Sequence, residues 1–234
     1  MPMNINAYYW LVKPGIIRGN LLAAAAGFLF ASLTIDWLLF VAMLFGLGCI
    51  IASGCVFNNY ADRAMDAKME RTKKRALVSG AISNQSALLF ASLLGVVGVA
   101  TLFFFTNLLT LVVAVVGWVF YVLIYTPLKP RNPVALFVGA VAGSVPPVVG
   151  YAAAANVLDW WAFFLFAALY VWQIAHFMAI AVYRYDEYTA AGVPLYIRKR
   201  PSDAAKRRAK QLFYASLVVL LLFCLLLILQ RWAR

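Results

Sequence analysis

Apolar residues fill this chain in long unbroken runs rather than in an alternating or one-sided pattern. Seven runs reach the roughly 20 residues that an α-helix needs to cross a hydrocarbon layer about 30 Å thick. They extend approximately from Ile16 to Leu33, Trp37 to Phe57, Ser86 to Phe105, Leu108 to Thr126, Val134 to Ala155, Trp160 to Tyr183 and Gln211 to Gln230. In lipid each backbone N–H and C=O must be satisfied within the segment, which helices do. The pattern predicts an all-α, polytopic membrane helix bundle of about seven transmembrane helices, forming a single domain over residues 1–234. Met1 to Val12 has neither the basic start and short apolar core of a secretory signal nor the Arg/Ser-rich amphipathic pattern of a transit peptide, so the first helix is expected to stay. Pro146-Pro147 interrupt the fifth run, where a kink is expected to line a pocket.

Composition agrees: 65% of the 234 residues are hydrophobic and 12% charged, which excludes an ordinary soluble enzyme. Cys49, Cys55 and Cys224 form neither a CxxC pair nor a metal-ligand spacing, so they read as packing residues. The formal charge of +12 would suggest nucleic acid in a soluble chain. In a membrane chain it records which loops face the cytoplasm, and no nucleic-acid partner is expected. With the N-terminus inside, all but Arg231 and Arg234 of the 20 Lys and Arg fall on the cytoplasmic face, while the opposite connections carry Asp36 and Asp159. The expected location is the prokaryotic inner (plasma) membrane, with the active site toward the cytoplasm.

The long second-to-third and sixth-to-seventh connections also hold six of the eight acidic residues, more mixed charge than topology requires. Asn58, Asp62 and Asp66 recur every four residues, so on a continuing helix they form one stripe. Two stacked carboxylates repel and call for a cation between them. Mg²⁺ fits, being a hard ion commonly held by one or two carboxylates, waters and phosphate oxygens. His and Cys are absent there, which argues against zinc. Arg63, Arg71, Lys73, Lys74 and Arg75 follow closely and suit phosphate oxygens, so acid and base together point to a metal diphosphate.

Asn-x-x-x-Asp-x-x-x-Asp at the end of the second span resembles the first aspartate motif of the UbiA intramembrane prenyltransferases. Lys13-Pro14-Gly15, Ala52 through Asn59, Met69-Glu70-Arg71-Thr72, Tyr125-Thr126 with Lys129, Gly143 through Pro146-Pro147 to Gly150, and Trp172-Gln173 with His176-Phe177 are similar, in order, to the branch that farnesylates protohaem IX. The similarity covers nearly the whole chain. Departures are Ala76 and Ala175, where that branch usually has Pro, and Glu187, where it has Asp. The family fold has nine helices, so the resemblance marks this chain as shortened by the last two.

The resemblance implies a Mg²⁺-dependent transfer from farnesyl diphosphate to haem b, giving haem O, inside the lipid bilayer. Asp62 and Asp66 would hold Mg²⁺, with Asn58 orienting a carboxylate or an oxygen. Arg63, Arg71, Lys73, Arg75, Lys129 and Arg184 would meet the diphosphate. Asp186 and Glu187 would hold a second Mg²⁺ or position the far end of the diphosphate. Tyr125, with Trp118 and Tyr121 at helical spacing, would line a chamber for an allylic cation. His176 would face the haem, ligating iron or orienting the porphyrin. A homo-oligomer or a haem A synthase partner is compatible. Three rivals share parts of the pattern: a UbiA-type prenyltransferase of a quinone precursor, an inactive haem-binding relative and a transporter. The first would normally carry a second Asp-x-x-x-Asp, which Asp186-Glu187-Tyr188 does not supply.

Overall fold

The computed structural model describes residues 5–232. They form helices α1 (Ile5–Leu11), α2 (Pro14–Ala31), α3 (Trp37–Asp66), α4 (Asn84–Phe105), α5 (Leu108–Val119), α6 (Thr126–Leu128), α7 (Ala135–Ala155), α8 (Trp160–Tyr183), α9 (Tyr185–Ala190) and α10 (Asp203–Trp232). A π-helical stretch, Phe120–Tyr125, joins α5 to α6 into one continuous span. Among the described residues there is no strand, and seven helices are long and apolar enough to cross a membrane. These match the seven predicted runs. Arg234, expected on the outer face, lies outside the described residues.

Side-chain caps explain several of the helix starts. Asp36, Ser83, Asn107 and Asp159 each accept a hydrogen bond from a backbone N–H in the first turn of α3, α4, α5 and α8. The two acidic residues of the opposite-face connections are therefore helix caps. Asp159 also accepts a hydrogen bond from the Tyr151 hydroxyl at 2.8 Å, the first cause that holds its carboxyl below the usual range.

α7 lies at the centre and packs against α2, α5 and α8, while α10 covers α2 and α8 and α4 lies along α3. The α2–α7 crossing depends on small residues. A methyl on Gly27 would overlap the Pro147 carbonyl, and one on Gly150 would overlap the Ala24 carbonyl, so each glycine admits the opposing backbone. Pro146 and Pro147 sit buried within α7, which runs on through them, and the Pro147 backbone packs on Gly27 of α2. The indoles of Trp10, Trp37 and Trp160, near helix ends, are exposed, as the side chains of an interfacial belt are.

Two elements differ from the pattern. α3 continues past Phe57 to Asp66, so the aspartates lie on the spanning helix itself. α10 begins at Asp203, making the Lys206 to Lys210 run helical.

Candidate active site

The α3 extension presents Asn58, Asp62 and Asp66 on one face, each no more than 4% exposed. Each meets a cationic side chain from a different element. Lys129, just after α6, lies with its Nζ 2.6 Å from Asp62 Oδ2. Arg75, in the connection after α3, lies with Nη1 2.5 Å from Asp66 Oδ2 and 3.1 Å from Asn59 Oδ1. Lys13 donates from Nζ to Asn58 Oδ1 at 2.6 Å, and Asn58 Nδ2 donates onward to Thr126 Oγ1 at 3.1 Å. Thr72 closes the turn behind the stripe by donating to the Asp66 carbonyl at 2.9 Å.

The surroundings act differently on the two lysines. Burial pulls Lys13 down to about 8; the Arg75 and Lys129 charges add to this, while Asp62 opposes it. Burial also disfavours the Lys129 ammonium, but Tyr125 and Asp62 outweigh it and its pKa stands above the ordinary lysine value. Lys13 reaches inward because its backbone adopts a left-handed conformation, φ 55° and ψ 68°, directly before Pro14 opens α2. A non-glycine residue holds that geometry at a cost of about 1 kcal/mol, so the surrounding contacts must over-determine it. In the sequence Lys13 carries no site role of its own; its signals are its place ahead of the first span and the Lys13-Pro14-Gly15 segment that shares in the family resemblance.

The π stretch sets the roof. Tyr121 and Tyr125 stack with centroids 5.6 Å apart and planes 14° apart, and Tyr125 also packs on Gly139 of α7, where a methyl would clash with its ring. Trp118 donates from Nε1 to Ser53 Oγ at 3.3 Å, so its indole nitrogen is bonded to α3. A cavity of about 130 Å³ adjoins, lined by Tyr125, Lys129, Phe177, Met178, Tyr188 and Tyr196 among others.

Not every expected residue meets the stripe. Glu187 lies between the two long connections, 3.1 Å from Arg184 and 3.8 Å from Arg71. Arg71 is held below the usual guanidinium value by burial and then by the neighbouring Arg184 and Arg75 charges. Asp186 instead faces Arg200 and Lys206, at 3.0 and 2.5 Å, away from the stripe. Arg63 donates to the Tyr60 carbonyl and covers the Tyr60 ring at 4.3 Å, and Lys73 pairs with the exposed Glu70. His176 is enclosed between α8 and α10, with Nδ1 2.7 Å from Ser216 Oγ and its ring stacked on Trp172 at 4.9 Å.

Mg²⁺ fits the stripe by donor chemistry: two hard carboxylates and an amide oxygen, one helical turn apart, with cations able to rotate toward a phosphate. Among the described residues no cluster of three or more His, Cys, Asp or Glu forms a complete cage, so such an ion would need oxygens from its substrate.

A buried Asn/Asp/Asp stripe ringed by lysines and arginine thus sits inside a bundle with seven helices long and apolar enough to cross a membrane. The chain belongs to the UbiA prenyltransferase family, whose sequence profile matches residues 20–233. It is 47% identical over 205 residues to "Protoheme IX farnesyltransferase" of Protochlamydia amoebophila, covering 87% of this chain and 72% of that protein. The namesake in Marinomonas is 46% identical over 202 residues, covering 86% and 68%. Among solved structures, one of a digeranylgeranylglyceryl phosphate synthase superposes with a TM-score of 0.70 at 20% identity, covering 97% of this chain and 86% of that one. A UbiA homolog from Archaeoglobus fulgidus bound to GPP and Mg²⁺ gives 0.67 at 17%, covering 97% and 85%. These structural likenesses establish the fold.

Proposed function

We propose that the protein transfers the farnesyl group of farnesyl diphosphate to a vinyl group of protohaem IX (haem b), giving haem O, in the inner membrane with its site toward the cytoplasm. The observation that carries this reading is the buried stripe itself: Asp62 and Asp66 each bear a partner, Lys129 and Arg75, ready to be handed to a diphosphate. The relatives' shared name supplies the donor and acceptor.

Asp62 and Asp66 would hold Mg²⁺, which when bound neutralises charge on the diphosphate oxygens. Lys129 and Arg75, freed from the carboxylates, take up the charge that grows on the leaving diphosphate as its C–O bond breaks. Lys13 keeps Asn58 in place, and the Tyr121 and Tyr125 faces lie where an allylic cation gains from their electron density. A haem vinyl carbon then bonds to the farnesyl carbon. Water adds its oxygen to the resulting porphyrin-side cation and releases a proton, leaving a hydroxyethylfarnesyl group. Glu187 ties Arg71 and Arg184 together at the rim, where the far phosphate would arrive.

The test is expression in a host lacking its own haem O synthase, with extracted haems resolved by chromatography and mass spectrometry. Farnesylated, hydroxylated haem is the expected product. Haem b alone, from membranes that move labelled farnesyl onto a different aromatic acceptor, would overturn the choice of acceptor.

Because His176 is enclosed between α8 and α10, we propose that it orients the acceptor side of the bundle and does not ligate iron. His176→Gln is expected to leave the optical spectrum of haem-loaded protein unchanged while costing about 1 kcal/mol of stability through the Ser216 bond. A shifted haem absorbance in that variant would assign the imidazole to iron instead.

A further inference from the structure

A second cavity, of about 340 Å³, lies between α1 and the connection after α3. Asn6 and Trp10 of α1, Asn59 of α3, and Arg71, Lys74 and Arg75 contribute to its wall. Its volume equals roughly eleven waters, ample for a phosphodiester and part of its glycerol. Three cations line it, and Lys74 is the one with least to balance it. Arg71 reaches Glu187 only at 3.8 Å, Arg75 is shared with Asp66, and among the described residues no carboxylate pairs with Lys74.

The other wall indicates where a ligand would come from. α1 exposes Ile5, Tyr9 and Trp10 at 74%, 51% and 63%, and the left-handed turn at Lys13 separates it from the first span. A short helix with such side chains at the foot of a membrane span belongs in the headgroup layer. The cavity, whose wall includes Asn6 and Trp10 of this helix, thus belongs beside the headgroup layer.

We propose that this cavity binds the phosphate of an anionic membrane lipid, and that the bound phosphate is sensed at the aspartate stripe through Arg75. Arg75 Nη1 contacts both Asn59, on the cavity wall, and Asp66, on the stripe. A phosphate in the cavity draws one edge of that guanidinium off Asp66, the release that the reaction requires, and leaves its other N–H groups for the diphosphate. Only this coupling rests on the proposed catalytic role; lipid binding stands without it.

Native mass spectrometry of the full chain, titrated with phosphatidylglycerol or phosphatidylcholine, tests the binding directly. The parent is expected to retain phosphatidylglycerol selectively. Lys74→Gln and Ala81→Glu, the latter at an exposed position on the cavity rim, should each weaken that retention about fivefold. Equal retention of both lipids, or retention that neither substitution changes, overturns the site. Competition by inorganic phosphate as effective as that by the lipid assigns the cavity to a soluble anion and overturns the lipid. For the coupling, farnesyl transfer in phosphatidylcholine nanodiscs should match between the parent and Ala81→Glu, and added phosphatidylglycerol should accelerate only the parent. Acceleration of both equally would overturn the link through Arg75, whereas absence of transfer in both with selective lipid retention would count against the proposed reaction and leave the site standing.

Discussion

Asp62→Asn is expected to lower kcat/KM for farnesyl transfer by at least about 10³-fold, ~4 kcal/mol of transition-state stabilisation, in a protein that still folds. Asparagine is the informative replacement. Asp62 is 4% exposed and holds the Lys129 ammonium, so alanine would strand a buried cation at a cost of roughly 3–5 kcal/mol and confuse misfolding with lost chemistry. An amide still accepts from Lys129 but offers a metal only a neutral oxygen. Initial rates with labelled farnesyl diphosphate, measured beside thermal unfolding of both proteins, settle the matter. Near-parent turnover in Asp62→Asn would remove this carboxylate from the metal assignment.

The largest loss of stability is expected at Gly150. Its missing side chain admits the Ala24 carbonyl of α2, and a methyl would overlap backbone that cannot rotate aside. Gly150→Ala should therefore force α2 and α7 apart at a cost of about 3 kcal/mol. Gly19, on the same α2, has nothing within 4 Å of the place a methyl would occupy, so Gly19→Ala should be neutral or stabilising by about 0.5–1 kcal/mol. Unfolding of the two variants in the same detergent, compared with the parent, checks both signs. Similar losses at Gly19 and Gly150 would mean that the close crossing is not what the glycine provides.

Much of this architecture can be read from the chain because lipid imposes a simple rule: a run of apolar residues long enough to span must be helical. The stripe is legible for a related reason, since a spacing of four keeps Asn58, Asp62 and Asp66 together once the helix continues. Side-chain aim is harder. Asp186 and Glu187 are adjacent in sequence and equal in charge, yet a helical step of about 100° turns one to Arg200 and Lys206 and the other to Arg71 and Arg184. The same holds for the bases after α3, where Arg75 reaches the stripe while Lys73 pairs with Glu70. His176 carries no sign of which neighbour it will face, because Ser216 lies 40 residues further on. Lys13 depends on a left-handed backbone turn that a lysine does not advertise.

The π-helical stretch has its own bearing on what can vary. An α-helix advances about 100° per residue, and a π segment accommodates one extra residue without breaking the span. Everything after Phe120–Tyr125 is therefore rotated by about 100° from where an uninterrupted α-helix would carry it. That rotation sets the phase at which Lys129 meets Asp62 and Thr126 meets Asn58. Apolar residues on the lipid side of this stretch, such as Leu123 and Ile124, are free to exchange for one another. The stretch also decides where a deletion is tolerated: losing one residue within Phe120–Tyr125 would return it to plain α-helix with Lys129 still at the angle that meets Asp62, whereas a further inserted residue would have no such slack and would swing the lysine away from the carboxylate.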